Sequence, residues 1–478
     1  MLFNSIEFLI FFPAVIAGYF ALPHRFRWIL LLLASYYFYM CWNYNYVVLI
    51  ATATGINYLS GYFIAKSNSK LWKKVFLSLG VVTSLAILFF YKYFNFFGNS
   101  INEVFSAMNV MAAIPHYNVL LPVGISFYTF QTLSYTIDVY FGKQPVEKHF
   151  GIFALYVSFF PQLVAGPIER SLNLLPQFYE KHKFDYSQIR DGIVLMAWGF
   201  FKKIVIADRL SEYVNIVYNN PTDHSGMQFL MATFFFCFQI YCDFSGYSDI
   251  ALGTAQIMGF RLMTNFRRPY FALNIKEFWQ RWHISLSTWF RDYVYIPMGG
   301  NRVVKWRWKL NLFITFLVSG IWHGANWTFA IWGALHGVYQ IIEIYTVKFK
   351  EKYLKSADKI SNFSRIGQIL FTFSLVAFAW IFFRANTVKE AFLVIGKIFS
   401  VNSYSGAINL FHFKIDFLLS IILVISLITI EVFLENGKLV PKLRVLKRSA
   451  KWVLLIGMAL IIMVLGKWDS MNFLYFQF

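Results

Sequence analysis

The sequence predicts an all-α polytopic membrane protein, on the strength of its composition, its recurring apolar runs and the placement of its basic residues. Of 478 residues, 58% are hydrophobic and 21% aromatic, only 14% are charged, and the mean hydropathy is +0.54. A soluble domain carries about a quarter charged residues. Apolar runs of roughly 17 to 25 residues recur along the chain, the length a helix needs to cross a hydrocarbon core about 30 Å thick. They lack the period-2 alternation of barrel strands, so helices must satisfy the backbone within the bilayer.

Candidate spans cover 6–22, 28–42, 46–65, 75–97, 119–140, 151–166, 191–208, 227–245, 310–322, 326–345, 367–383, 415–434 and 450–466. These make about 11–13 transmembrane helices once re-entrant and interfacial pieces are set apart. The first lacks a basic n-region and a small-residue cleavage site, so it reads as a retained span, not a cleaved signal. Leu121-Pro122-Val123-Gly124 and the stretch Pro161 to Pro167 interrupt their spans. Irregular backbone at membrane depth is tolerated only inside protein or against a water-filled cavity. One integral membrane domain over 1–478 is expected, with N-terminal helices over 1–118 and C-terminal helices over 346–478. Its core, 119–345, holds the chemistry-bearing stretches 241–300 and 319–337.

The net charge of +20 is concentrated in the connections: His24 to Arg27, Lys66 to Lys74, 261–309, Lys348 to Arg365 and Lys438 to Lys451. The positive-inside rule assigns these to the cytoplasm. Segment 98–118, with Glu103 and no Lys or Arg, faces outward. Threading the last five spans through these assignments puts the N-terminus outside and the connection near His323 toward the outer side, while the order across 141–260 stays open. No basic domain with stacking aromatics stands apart, so the expected partner is the lipid bilayer and not nucleic acid. Cys41, Cys237 and Cys242 show neither metal-ligand nor disulfide spacing, and no metal is expected.

The stretch 261–309 sets ten Lys or Arg against Glu277 and Asp292, interleaved with Phe278, Trp279, Trp282, Trp289, Phe290, Tyr293 and Tyr295. This pattern suits amphipathic helices hugging headgroups. It equally suits a basic mouth for an anionic, phosphate-bearing donor such as a coenzyme A thioester.

Ionisable groups inside an apolar block mark function by default. His323, in Ser319-Gly320-Ile321-Trp322-His323-Gly324-Ala325-Asn326-Trp327, and His336 are such groups. A neutral imidazole accepts a hydroxyl proton near neutral pH, which makes His323 a candidate general base. Gly320 and Gly324 suggest open backbone space beside it, Trp322 and Trp327 a cavity wall, and Asn326 a nearby amide. On one continuous helix His336 would lie roughly 20 Å from His323 and could not share its proton; within Gly333-Ala334-Leu335-His336-Gly337 it reads as interhelical glue. His283, in Trp282-His283-Ile284-Ser285, is a surface histidine by itself, but with Arg281, Arg291 and Asp292 it becomes a candidate for positioning a donor. Asp243 and Asp249 point about 120° apart on a helix, so helix-end or Arg-pairing duty suits them better than a shared acid dyad. The chain has no Gly-x-Ser-x-Gly elbow, P-loop, His-Glu-x-x-His or Cys-x-x-Cys, which removes hydrolase, ATPase and metalloprotease readings. A buried histidine with no paired serine suits direct transfer from an activated thioester to a hydroxyl.

Tyr241 to Asp249, Gly259-Phe260, Asn265-Phe266, Pro269-Tyr270, Phe278 to Ser287, Arg291-Asp292-Tyr293, Ile296 to Gly300 and Trp322-His323-Gly324 follow one another in an order that resembles the membrane-bound O-acyltransferase (MBOAT) family. The resemblance extends to Phe3-Asn4-Ser5 and Tyr475-Phe476-Gln477-Phe478, and is nearest to the alginate O-acetyltransferase (AlgI-type) branch. Met298 and Ile321, where leucine is common, are mild departures. The resemblance implies a ring of helices around a thin centre, with a tunnel from a cytoplasmic donor to an outer acceptor. It implies His323 as the catalytic residue and His283 as a second one, with Trp322, Asn326, Trp282, Arg281, Arg291, Asp292 and Asp243 as candidate substrate contacts. No permanently bound cofactor is implied; the donor is acetyl-CoA or another acyl thioester. An SGNH-type extracytoplasmic acetyltransferase, acting on a polysaccharide at a bacterial plasma membrane, is the implied partner. D-alanyl transfer to teichoic acids is the alternative reaction, and a transporter using His323 and His336 is the alternative class.

Overall fold

The structure is a computed structural model that describes residues 1–118, 120–164, 166–353, 361–400, 414–437, 447–468 and 473–474. Tyr475 to Phe478 and parts of the basic connections 348–365 and 438–451 lie outside the described residues. Every regular element among the described residues is helical. Among the described residues, five helices are long and apolar enough to cross a membrane: Tyr46–Lys66, Lys70–Ala107, Gly226–Met258, Asn362–Arg384 and Ile415–Glu435. Ile6–Ala21 and Ser449–Leu465 are shorter apolar helices. The chain is an all-α polytopic membrane protein. The other expected spans are shorter, interrupted or more polar helices, of which Ile125–Tyr140 and Phe150–Ser158 are buried on nearly every side.

Two compact units emerge, Met1–Met196 with Ile250–Met263, and Ala197–Asp249 with Thr264–Phe478. The first contains α1 (Ile6–Ala21), α2 (His24–Met40), α3 (Tyr46–Lys66), α4 (Lys70–Ala107), α5 (Ile125–Tyr140), α6 (Phe150–Ser158), α7 (Ser171–Tyr179) and α8 (Tyr186–Phe200). Ser5 caps α1 by accepting the Phe8 N–H at 3.3 Å. Helices α3, α4 and α5 pack together around a polar clasp. Asn57 donates to Ser84 Oγ at 2.9 Å and accepts from Thr136 Oγ1 at 2.8 Å, all three side chains being buried. Such internal pairing lets α5 be rich in Ser, Thr and Gln while buried on nearly every side. Both expected interruptions fall here and face each other. Gly124 starts α5 at φ +76°, and a Cβ there would stand 2.7 Å from the Leu163 carbonyl oxygen.

In the second unit α8 continues through a π-helical stretch, Phe201–Ala207, into α9 (Asp208–Asn219). There follow α10 (Gly226–Met258), whose last turns belong to the first unit, and α11 (Ile275–Arg281). Next come α12 (Ile284–Phe290), which runs on as a π turn over Arg291–Tyr295, and α13 (Lys305–His323). The unit is completed by α14 (Trp327–Tyr353), α15 (Asn362–Arg384), α16 (Val388–Phe399), α17 (Lys414–Glu435) and α18 (Arg448–Leu465).

Helices α13 and α14 form a tight hairpin. A Cβ at Gly320 would meet Gly333 Cα at 2.8 Å and overlap the Phe329 carbonyl, while one at Gly324 would overlap the Phe329 ring. The space expected to stay open beside His323 is thus filled, because the glycines serve close helix approach. Trp327 is half exposed, so it does not wall a cavity at His323; Trp332, one turn and a half further on, takes that place. Gly333→Val should lower stability by roughly 1–3 kcal/mol, the usual range for overpacking, read as a drop in melting temperature and folded yield in detergent. Gly367→Val, at a site with nothing within 4 Å, should leave both near wild type.

Candidate active site

His323 ends α13 and is 3% exposed; His283, between α11 and α12, is fully buried. Their ring centroids lie 6.5 Å apart at 53°. Trp322 packs against both, 5.0 Å from His323 and 6.4 Å from His283. Trp332 and Phe383 close the His323 side at 5.0 and 5.5 Å. Phe244 meets the His283 ring edge-on at 4.6 Å and Phe266 lies parallel to it at 6.4 Å. Sequence separation is 40 residues, so only the tertiary fold makes this pair.

His283 holds a left-handed backbone, φ +41° and ψ +56°, which costs an L-residue about 1–2 kcal/mol. Two main-chain hydrogen bonds bracket it: Arg267 N–H donates to Arg281 O and Ile284 N–H to Asn265 O, each 2.9 Å. Strain held by over-determined surroundings is characteristic of functional sites. Burial pushes the His283 imidazole down to about 3, so the ring is neutral at physiological pH, a form that carries one N–H donor and one acceptor nitrogen.

The helix ends at His323 and the chain reverses, so the long separation expected for one continuous helix does not apply. Trp332 stands between the two rings, 5.0 Å from His323 and 5.0 Å from His336. His336 Nδ1 accepts from Trp279 Nε1–H at 3.2 Å, tying α14 to α11.

The remaining candidates fall into separate places. Trp282 is fully buried in an aromatic cluster with Phe266, Phe278 and Trp380, 5.1, 5.6 and 5.1 Å away. Arg281 binds Glu277 at 2.6 Å and Glu435 at 2.9 Å, and Arg291 binds Asp292 at 2.8 Å. Asn326 ties the hairpin turn, donating to Asn386 O at 2.7 Å and accepting from Thr328 N–H at 3.0 Å. Asp243 pairs with Lys203 at 2.6 Å and accepts from Leu474 N–H at 2.8 Å, while Asp249 pairs with Lys202 at 2.7 Å. The aspartates do act separately, with lysines in the place expected for arginines.

That lysine pair was missed, although it lies in an apolar run where any ionisable side chain is a signal. Lys203 also binds Asp208 at 2.8 Å. Close approach makes the pairs possible: a Cβ at Gly246 would stand 2.7 Å from Gly199 O and 3.0 Å from Lys203 N. Phe244, one residue from Asp243, is the ring that meets His283.

A cavity of about 710 Å³ is lined among others by Lys276, Trp279, Phe290 and Arg291, and by Ile284, the residue after His283, and Ser319, one turn before His323; neither imidazole is among its lining residues. On α13 its lining residues are Leu312, Thr315, Phe316 and Ser319. This is a helical stripe whose next members are Trp322 and His323.

Comparison with known proteins gives the family. The model of the membrane-bound O-acyltransferase family matches residues 147–383, which hold both histidines. The probable alginate O-acetylase AlgI of Azotobacter vinelandii is 40% identical over 408 residues, covering 85% of this chain and 79% of the relative. The chain belongs to the membrane-bound O-acyltransferase family. It is an O-acyltransferase, and the transporter reading falls away. The peptidoglycan O-acetyltransferase of Helicobacter pylori is 35% identical over 440 residues, 85% of this chain and 81% of the relative. The teichoic acid D-alanyltransferase of Bacillus subtilis is 29% identical over 285 residues, 57% of this chain and 71% of the relative. In this acyltransferase, removing one partner of the buried Lys203 cluster should cost about 3–5 kcal/mol. Lys203→Met is therefore expected to lose the monodisperse peak on size exclusion, and Lys203→Arg to keep it.

Proposed function

We propose that the protein transfers acetyl from a cytoplasmic thioester, acetyl-CoA, for O-acetylation of an extracytoplasmic polysaccharide at a bacterial plasma membrane, together with a separate SGNH-type acetyltransferase. The observation that carries this reading is the convergence of His323 and His283, 6.5 Å apart, near a cavity lined by Ile284, which follows His283, and by Ser319, one turn before His323. Lys276 and Arg291 line that cavity and suit a phosphate-bearing donor. In the proposed step His323 takes the proton from the acceptor hydroxyl, and the oxygen attacks the thioester carbonyl. His283 donates its N–H to the developing oxyanion. As the C–S bond breaks, the thiolate takes the proton back from His323, so acetyl ester and free thiol form with no net proton gained or lost.

Acetyl, as the acyl group, draws support from the wall between cavity and histidines. Phe290 lines the cavity and its ring is 6.4 Å from Trp322, which packs on both imidazoles. A small acyl group fits such a wall best. D-alanyl transfer is the second reading, favoured by the Bacillus relative; the greater identity and coverage of the O-acetylases favour acetyl.

His323→Ala should bring base-released acetate in the envelope glycan fraction to vector level while immunoblots show normal protein. Wild-type acetate release in that variant would sink the assignment, and loss of base-released D-alanine with acetate unchanged would select the second reading. Trp322→Ala, supplied with butyryl-CoA and acetyl-CoA in parallel, should raise the butyryl-to-acetyl turnover ratio roughly tenfold or more, as pocket methylenes typically do.

A further inference from the structure

We infer that Asn265 is a positioning residue for His283, acting as the remote N-cap of the helix that His283 begins. The inference rests on the acyl-transfer role proposed for His283. A helix start leaves its first N–H groups without intrahelical acceptors, and the N-cap residue ordinarily supplies one from its own side chain. His283 occupies the N-cap of α12 and makes no side-chain capping hydrogen bond; its ring is turned to Phe244 and His323. The acceptors come from a residue 18 positions earlier. Asn265 O accepts from Ile284 N–H at 2.9 Å, and Asn265 Oδ1 accepts from Ser285 N–H at 3.2 Å and from Ser285 Oγ–H at 2.7 Å.

Asn265 is 1% exposed and anchored in turn, with Nδ2 donating to Ser248 Oγ on α10 at 3.4 Å. Phe266, the next residue, lies parallel to the His283 ring, and Arg267 N–H holds the far side of the turn at Arg281 O. One short segment thus caps the helix, clamps the left-handed turn and lies alongside the imidazole. Delegating the cap means that the imidazole is not spent on capping its own helix. A Ser or Asp at 283 would satisfy the helix and forfeit the imidazole N–H; His283 with Asn265 keeps both.

Full-length Asn265→Ala protein, given acetyl-CoA and assayed for free CoA, should lose about tenfold in kcat, equivalent to ~1.4 kcal/mol, with KM little changed. Hydrogen–deuterium exchange should rise at Ile284 and Ser285 ahead of the rest of α12. Asn265→Asp keeps the acceptor, and Ser248 can reverse its hydroxyl to donate, so that variant should retain most of the turnover. Where Asn265→Ala yields no folded protein, Asn265→Gln, which keeps the amide but displaces the acceptor by a methylene, should show the same kcat loss. Wild-type kcat in the alanine variant, a defect confined to KM, or unchanged exchange at both amides overturns the inference. Should wild-type protein release no CoA, the donor assignment fails while exchange at the two amides still decides the role of Asn265.

Discussion

Lys203 is 1% exposed, and its ammonium is held by Asp208 at 2.8 Å and Asp243 at 2.6 Å. An isolated buried ion would cost far more than any helix packing returns, so the lysine and its carboxylates must stay together. That requirement fastens the π-helical stretch Phe201–Ala207 to α10. Lys202 repeats the link a turn away through Asp249 and Ser245 Oγ, at 2.7 and 2.9 Å. The ring of Phe244, between those anchors, is the surface on which His283 rests. A bulged helix, which offsets consecutive side chains from the regular register, is what presents both lysines to one neighbour.

The same need to satisfy polar groups internally explains what the sequence made legible. Uniformly apolar helices were readable from hydropathy alone: the expected 46–65 and 415–434 correspond to Tyr46–Lys66 and Lys414–Glu435. The expected span 227–245 is shorter than Gly226–Met258, whose second half carries Asp243, Ser245, Ser248, Asp249 and Thr254 and so loses the hydropathy of a simple span. In place, Asp243, Ser245, Ser248 and Thr254 are buried. Hydropathy measures transfer to lipid, whereas these side chains transfer to protein.

At the site, His323 stood out as an imidazole in an apolar run, whereas His283, in a basic stretch, was marked out only by its charged neighbours and by the family resemblance. Their partners were not legible. Trp332 and Phe383 are ordinary aromatics in a chain with 21% aromatic residues, and Asn265 is an ordinary polar residue in a basic loop. Only the left-handed turn at His283 gives Asn265 a meaning. Backbone strain of this kind leaves no composition signal, because glycine, its usual marker, is replaced by the functional side chain.

An aromatic shell around the imidazoles also bears on the proposed reaction. Low polarity penalises an imidazolium formed at His323, so a mechanism that accumulates one would be slow. A thioester relieves this, for its thiolate leaves readily and takes the proton as it goes, keeping charge separation brief. A fixed N–H at His283 then matters more than it would in water, since a donor already aimed at the oxyanion needs no reorganisation in a site of low dielectric. Rigidity of the His283 turn and dryness of the His323 pocket therefore serve one purpose. Capping by Asn265 and fastening by Lys203 act together to keep the first while the aromatic rings maintain the second.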